Sequence, residues 1–400
     1  MRTISFDLYL TSRGADCLMH KGFIDYQNTK IPFVIDNFKM ELFSQDAVLD
    51  AFIQEYRLST NFVLTGECIL FGKNSRKITM LVDDFSGYTF YLSCFIVHRF
   101  DLAETFNEIC FRSQVLVSIF QYKYHFLDMS RNGVNLSASE NILYSFPFNI
   151  NTNQHNLHYM IGSNHTLGLL DGFDNTGKTI ITLAEADIHE CKRMVTLMER
   201  FSKFLTSCPK ITFNHISLLR DGLPEATFYC KQVSDDSHLD FDIHFYSFGI
   251  STYIPKILQH LSLELDTSIT QSIPLGHLGE YNNPYAPQRF IEQVIAFEYL
   301  FEKLEPAKAA DKKFHLKDEL KLMFDEFGQN LINGTLYTSD NLAEDIKELR
   351  RTITHGYEYY YTFAHDNDKR FLVIKMAGLL RCMSLKLIGF SSEEIKNYKV

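Results

Sequence analysis

The stretch SIPLGHLGEYNNPYAP, residues 272–287, marks a change of period along this 400-residue chain. Upstream of it, apolar residues sit in short runs rich in β-branched and aromatic side chains; downstream, they recur at helical spacing. Runs of the first kind suit sheet strands, and stripes of the second kind suit helices packed by one face. Glycine, proline and asparagine in the stretch between favour a linker over either. The length also exceeds the usual span of one domain, about 100–200 residues. The chain is therefore expected to be α+β, with a β-rich N-terminal domain over residues 1–275 and an all-α domain over residues 284–400.

In the first part, NFVLTGECILFG and KITMLVDD flank KNSR as a hairpin, and GYTFYLSCFIVHRF reads as a long buried strand. NLHYMIG, TLGLLDG, KTIITLA, KITFNHISLL, ATFYCKQV and FDIHFYSF have the same character. One helix interrupts them: Met194, Leu197, Phe201 and Phe204 recur at helical spacing. A sheet with one or two packed helices is expected.

In the second part, one stripe is Val294, Phe297, Phe301 and Leu304, and a second runs from Leu316 through Leu320, Met323 and Phe327 to Leu331. A third, Leu342, Ile346, Leu349 and Ile353, belongs to a helix capped by Ser339 or Asp340. A fourth helix follows HDND and stops at Gly389, and SSEE makes a capping box for a short fifth. This describes a four- to five-helix bundle.

Thirty-nine basic against 49 acidic residues give a net charge of −10, which excludes a general attraction to polyanions. From Tyr285 onward the chain carries 17 Lys+Arg and 18 Asp+Glu, leaving 22 and 31 for the first 284 residues. A polyanionic partner would thus meet a local patch of the C-terminal part. The start MRTISFDLYLTSRG has no apolar core of a signal peptide, no stretch approaches a membrane span, and the eight cysteines form no CxxC pair. A reduced, cytoplasmic protein with no membrane association is expected.

Two motifs carry less than they suggest. GFDNTGKT, residues 172–179, satisfies G-x-x-x-x-G-K-[ST] through Gly172, Gly177, Lys178 and Thr179. A phosphate-cradling loop needs a helix directly after it, whereas strand-like TIIT follows, so a turn between strands is the preferred reading and an NTPase the alternative. His155, His158, His165, His189 and Cys191 match no zinc-ligand spacing. No metal and no cofactor are expected.

The third helix ends in ELRRTITHGYEYYY, residues 348–361. At about 100° per residue, Arg351 and His355 share one side off the apolar stripe, and Arg350 lies between that side and the core. Basic residues in a last turn complement the helix dipole and Gly356 ends the helix, so spacing alone asks for nothing more.

Arg350-x4-His355 at this position resembles the R-x4-6-H motif of the HEPN superfamily, and its surroundings resemble the ApeA-type branch. QRFIEQVIAFEYL is similar to that branch's first helix, with Arg289-Phe290 and Glu298 at matching positions. ELRRTITHGY resembles its L-R-N-x-x-x-H segment, and GLLRCMSLKLIGF its closing helix. The N-terminal part, including RFSKFL, is similar to the family's β-rich domain, so the resemblance covers most of the chain. It departs at Arg351, where asparagine or another small polar residue is usual.

The resemblance implies a HEPN-like helical domain that cuts RNA without metal, in a homodimer whose two motifs face one cleft. It also implies a role in bacterial antiphage defence by abortive infection, with a phage-derived trigger sensed by the N-terminal domain. Arg350 and His355 are the expected catalytic pair. Histidine as a residue type titrates near neutrality and moves protons, while arginine stays charged and binds phosphorane oxygens through paired donors. Arg351, Lys369, Arg370 and Glu298 are expected to support RNA binding, and Tyr357 to stack on unpaired bases, as Tyr359, Tyr360 and Tyr361 could. The alternative is a catalytically silent HEPN-like dimerisation module with a partner-binding β domain.

Overall fold

The computed structural model of the protein describes residues 7–11, 31–36, 38–42, 62–69, 75–99, 105–121, 141–150, 153–161, 177–206, 211, 213, 215–230, 250–263, 286–333, 335–356 and 366–396. Contacts divide the chain into two units. One comprises residues 1–198 and 211–237, the other residues 199–210 and 238–400.

The first unit is a single sheet of twelve described strands. They are β1 (Asp7–Thr11), β2 (Ile31–Asp36), β3 (Lys39–Leu42), β4 (Phe62–Ile69), β5 (Ser75–Ser86), β6 (Thr89–His98), β7 (Phe106–Arg112), β8 (Asn141–Ile150), β9 (Asn153–Ile161), β10 (Gly177–Ala186), β11 (His215–Arg220) and β12 (Leu223–Cys230). The order is β3-β2-β1-β4-β5-β6-β12-β11-β7-β10-β9-β8, and β3 also pairs with β6. The first six strands therefore close into a ring, and the other six extend from it through β12.

Strand β6 is the junction. Its first residues pair with β3 (Lys39↔Tyr91, Met40↔Phe90), its last with β12 (Ala226↔His98 to Cys230↔Cys94), and its other edge with β5. Cys94 and Ile96 are buried on one face of it, Phe95 and Val97 on the other, and Phe90 and Leu92 are buried beyond a register shift at Ser93. A strand covered on both faces must be a near-continuous apolar run, and FYLSCFIVH is one. The β11–β12 hairpin turns on Asp221-Gly222, both at positive φ (51° and 79°), as a two-residue primed turn requires. Asn107 pins that turn: its amide donates to Asp221 Oδ1 at 2.8 Å, and the Asp221 N–H donates to Asn107 Oδ1 at 3.0 Å.

Two helices accompany these strands along the chain, α1 (Gln114–Gln121) and α2 (Ile188–Thr206). The expected apolar stripe of α2 is realised, with Met194, Leu197, Phe201 and Phe204 all buried. TLGLLDG and FDIHFYSF lie outside the described residues.

The second unit is helical: α3 (Ile250–Leu263), α4 (Pro287–Leu304), α5 (Pro306–Ala309), α6 (Leu316–Ile332), α7 (Ser339–Thr354), α8 (Asn367–Leu387) and α9 (Ser392–Lys396). The chain is thus mixed α+β. The sequence pattern puts residues 250–263 in the N-terminal domain, whereas α3 falls in the helical unit. Ile254, Ile257, Leu258 and Leu261 form its buried stripe. Tyr253 stacks on Phe390 at 4.7 Å, and Lys256 pairs with Glu394 at 3.7 Å. The expected stripes of α4, α6 and α7 are buried, except that Leu304 and Leu316 are half-buried. Pro287 opens α4, where its missing N–H costs nothing. The capping box of α9 forms as expected, with Ser391 N–H donating to Glu394 Oε2 at 2.7 Å and Glu394 N–H to Ser391 Oγ at 3.2 Å.

Candidate functional site

Helix α7 positions the residues singled out above. Its cap is Thr338, whose Oγ1 accepts from the Asn341 N–H at 3.3 Å, one residue ahead of the two expected candidates. Leu342, Ala343, Ile346, Leu349 and Ile353 fix the helix rotation by burial. At the far end the His355 N–H donates to the Arg351 carbonyl at 3.0 Å, and Gly356, at φ +78°, ends the helix. A side chain at Gly356 would be strained in that left-handed conformation.

With the stripe inward, Arg350 emerges at the edge of the core. Its Nη2 lies 3.1 Å from Glu298 Oε1 of α4, each side chain 39% exposed. Glu319 of α6 is the third member of this group. Burial pushes its carboxyl above the usual range, Glu298 adds to the shift, and Arg350 opposes it. Three helices thus bring two carboxylates to one guanidinium.

The remaining residues are dispersed. Arg351 is 68% exposed and meets Glu348, one turn back, at 3.5 Å. His355 is exposed. Five residues along a helix correspond to about 140° around its axis, so Arg350 and His355 leave α7 in different directions, whereas Arg351 and His355 differ by about 40°. Lys369 lies in the first turn of α8, its Nζ 3.3 Å from Asp366. Asp366 caps that helix by accepting the Lys369 N–H at 3.0 Å, and this bond foremost holds its carboxyl below the usual range. Arg370 follows, half-buried, its N–H donating to the Asp366 carbonyl. Tyr357, Tyr359, Tyr360 and Tyr361 lie outside the described residues.

No family model, curated protein or solved structure matches this chain.

The electrostatics differ from a bare basic patch. Arg350, Arg351 and Lys369 each have a carboxylate within 3.5 Å. A charge ladder continues along α6 and α7: Lys317 to Glu344 at 2.9 Å, Lys321 to Asp340 at 3.6 Å, and Lys347 to Glu344 at 2.8 Å. Solvent screens exposed pairs of this kind, so each contributes little and an incoming polyanion can displace them at small cost.

Nothing in the sequence singles out Glu319, because LKDELKLMF reads as the polar face of an ordinary helix; only the approach of α4 and α7 gives it a role. Its burial has a measurable consequence. The folded carboxyl titrates above its unfolded value, so the folded state holds the proton more tightly. Stability therefore falls as pH rises through the interval just above the ordinary glutamate value. Glu319→Gln is expected to raise Tm at about pH 7, with the two proteins converging as pH falls below about 4. An equal or lower Tm for the variant at neutral pH would mean that the carboxylate is stabilised where it sits.

The other candidate motifs resolve plainly. Gly177, Lys178 and Thr179 begin strand β10, paired with β9 and β7, so no helix follows GKT as a phosphate loop needs. Gly172 and the residues up to 176 lie outside the described residues. His155 is buried, its Nδ1 3.0 Å from the Thr182 carbonyl, and burial lowers the pKa of His158. His189 is exposed on α2 beside buried Cys191, and His165 is outside the described residues. Among the described residues no group of three or more His, Cys, Asp or Glu side chains is placed to hold a metal ion, and no helix is long and apolar enough to cross a membrane.

Proposed function

We propose that helices α4 to α9 form a HEPN-like bundle and that the chain is a metal-independent endoribonuclease acting through Arg350 and His355. The observation that carries this reading is the 3.1 Å pair between Arg350 and Glu298. The resemblance matches these two residues on separate helices, and they meet in space.

In this reading the ribose 2′-OH attacks the adjacent phosphorus, and the 5′-oxygen of the next nucleotide leaves. The products are a 2′,3′-cyclic phosphate and a 5′-OH. Arg350 stabilises the two negative charges that gather on the phosphorane oxygens through its paired donors. His355 transfers a proton, either from the attacking hydroxyl or to the leaving oxygen. The second proton transfer needs another group, and the divergence of Arg350 and His355 along one helix favours a second copy of α7 as its source. A homodimer with both motifs on one cleft meets that need. RNA is the substrate and Arg351, Lys369 and Arg370 lie along its path. The β-rich unit would sense a phage-derived trigger in an abortive-infection response within the cytoplasm.

A second reading has one observation in its favour. The guanidinium of Arg350 already has a carboxylate partner, as a brace in a catalytically silent interaction module would. Incubating the full chain with total RNA in EDTA separates the two. We expect cleavage to persist in EDTA with cyclic-phosphate ends, and to fall by about 10²–10⁴-fold in His355→Ala. Cleavage abolished by EDTA sinks the metal-free mechanism, undiminished cleavage by the variant sinks the assignment of His355, and no cleavage by the wild type favours the silent module.

A further inference from the structure

Three of the eight cysteines meet in the first unit, independently of the site on α7. Cys94 of β6 and Cys230 of β12 are register partners, at the end of five pairs that run without a shift from Ala226↔His98. Residues directly opposed in an antiparallel ladder point to the same face, with Cα atoms about 4.5–5.5 Å apart. A disulfide spans Cα separations of about 4.4–6.8 Å, so the ladder already holds this pair at bridging distance. The neighbouring pair, Phe95 and Tyr229, stacks at 4.8 Å and holds the two strands in that register. Cys191 of α2 comes close as well: burial first, then Cys94, raises its thiol well above the ordinary value. Burial pushes the Cys94 thiol up to about 12, and Cys230 adds to the shift. Cys94 and Cys191 are buried and Cys230 half-buried, all as free thiols.

We propose that Cys94 and Cys230 are an oxidation site, closing under a peroxide to a cross-strand disulfide that staples β12 to β6. Cys230, the member with solvent access, takes the oxidant: its thiol and hydrogen peroxide give the sulfenic acid and water. The Cys94 sulfur then attacks the Cys230 sulfur and forms the S–S bond. The hydroxide expelled combines with the proton that Cys94 gives up. Two thiols lose two electrons and two protons, and the peroxide becomes two waters. Because burial holds Cys94 protonated, the second step is slow and the pair persists as thiols until oxidant is supplied. The bridge locks the junction between the closed ring and the rest of the sheet. Cys191 is not part of it.

The reduced full chain, treated with hydrogen peroxide, quenched in acid, alkylated and digested without reductant, tests this directly. A peptide containing Cys94 is expected joined to one containing Cys230, lighter than their sum by two hydrogens and separated again by dithiothreitol. Tm should rise on oxidation and return on reduction. Cys230→Ser should remove both the joined peptide and the Tm shift, and Cys191→Ser should retain both. Recovery of Cys94 in alkylated form after peroxide, or joined to Cys191 instead, overturns the assignment. The wild-type peptide map separates these outcomes even if a variant fails to fold.

Discussion

Arg350→Ala is expected to reduce RNA cleavage by about 100-fold or more in kcat/KM, the scale on which removal of one preorganised charge-stabilising donor acts. The size of the effect follows from what alanine cannot replace. The phosphorane carries two negative charges beside the Glu298 and Glu319 carboxyls, so losing the guanidinium removes the one cation of that group and leaves the developing charge facing carboxyls alone. Arg350→Lys keeps the charge and loses the planar fork, and should fall between the two. Folding should survive. The Arg350–Glu298 pair is partly exposed at both ends, and pairs of that kind contribute about 1 kcal/mol or less. The measurement is therefore cleavage rate together with a melting curve for each protein. A fully active Arg350→Ala would remove this residue from the chemistry, whereas a collapse in Tm would make it the brace of the alternative reading.

The second large effect is on folding. Phe297→Ala should lower stability by about 3–5 kcal/mol, read as a drop in the denaturant midpoint. Phe297 has no exposure at all and stacks on Phe301 at 6.0 Å, which in turn stacks on Phe314 at 6.0 Å. Removing its ring leaves a void beside Phe301 in a fully buried part of the helical core. It also leaves α4, which carries Glu298, without its central anchor. A loss below about 1 kcal/mol would mean that the helices repack around the gap.

Much of the helical unit is legible because its apolar stripes are long and its caps are local. Leu342, Ile346, Leu349 and Ile353 set the rotation of α7, and from that rotation the emergence of Arg350 at the edge of the core follows. Its cap is less legible: Thr338, Ser339 and Asp340 are adjacent and all suited to capping, and only the backbone decides among them. Helix α3 escapes the sequence pattern although Ile254, Ile257, Leu258 and Leu261 mark it, because Pro255 interrupts the stretch and reads as a breaker. The runs of β4, β5 and β6 announce strands, but nothing local says that β3 pairs with both β2 and β6. Ring closure is a long-range choice, made by packing. Glu319 is the clearest case. Its place beside Arg350 depends on three helices meeting, and no spacing within one of them records that.

The closed ring also bears on how the sheet avoids pairing edge to edge with other sheets. Because β3 is paired on both sides, the ring offers no free edge there, and in the order of the described strands the sheet ends at β8. A terminal strand with a row of unpaired backbone groups is a template for another strand to add to. Strand β8 carries Pro147 at its centre, opposite Asn156. Proline has no N–H to offer and is tolerated in sheets mainly at such borders. The one described strand that could recruit an intruder thus carries a gap in its hydrogen-bonding row, a built-in guard against edge-to-edge aggregation.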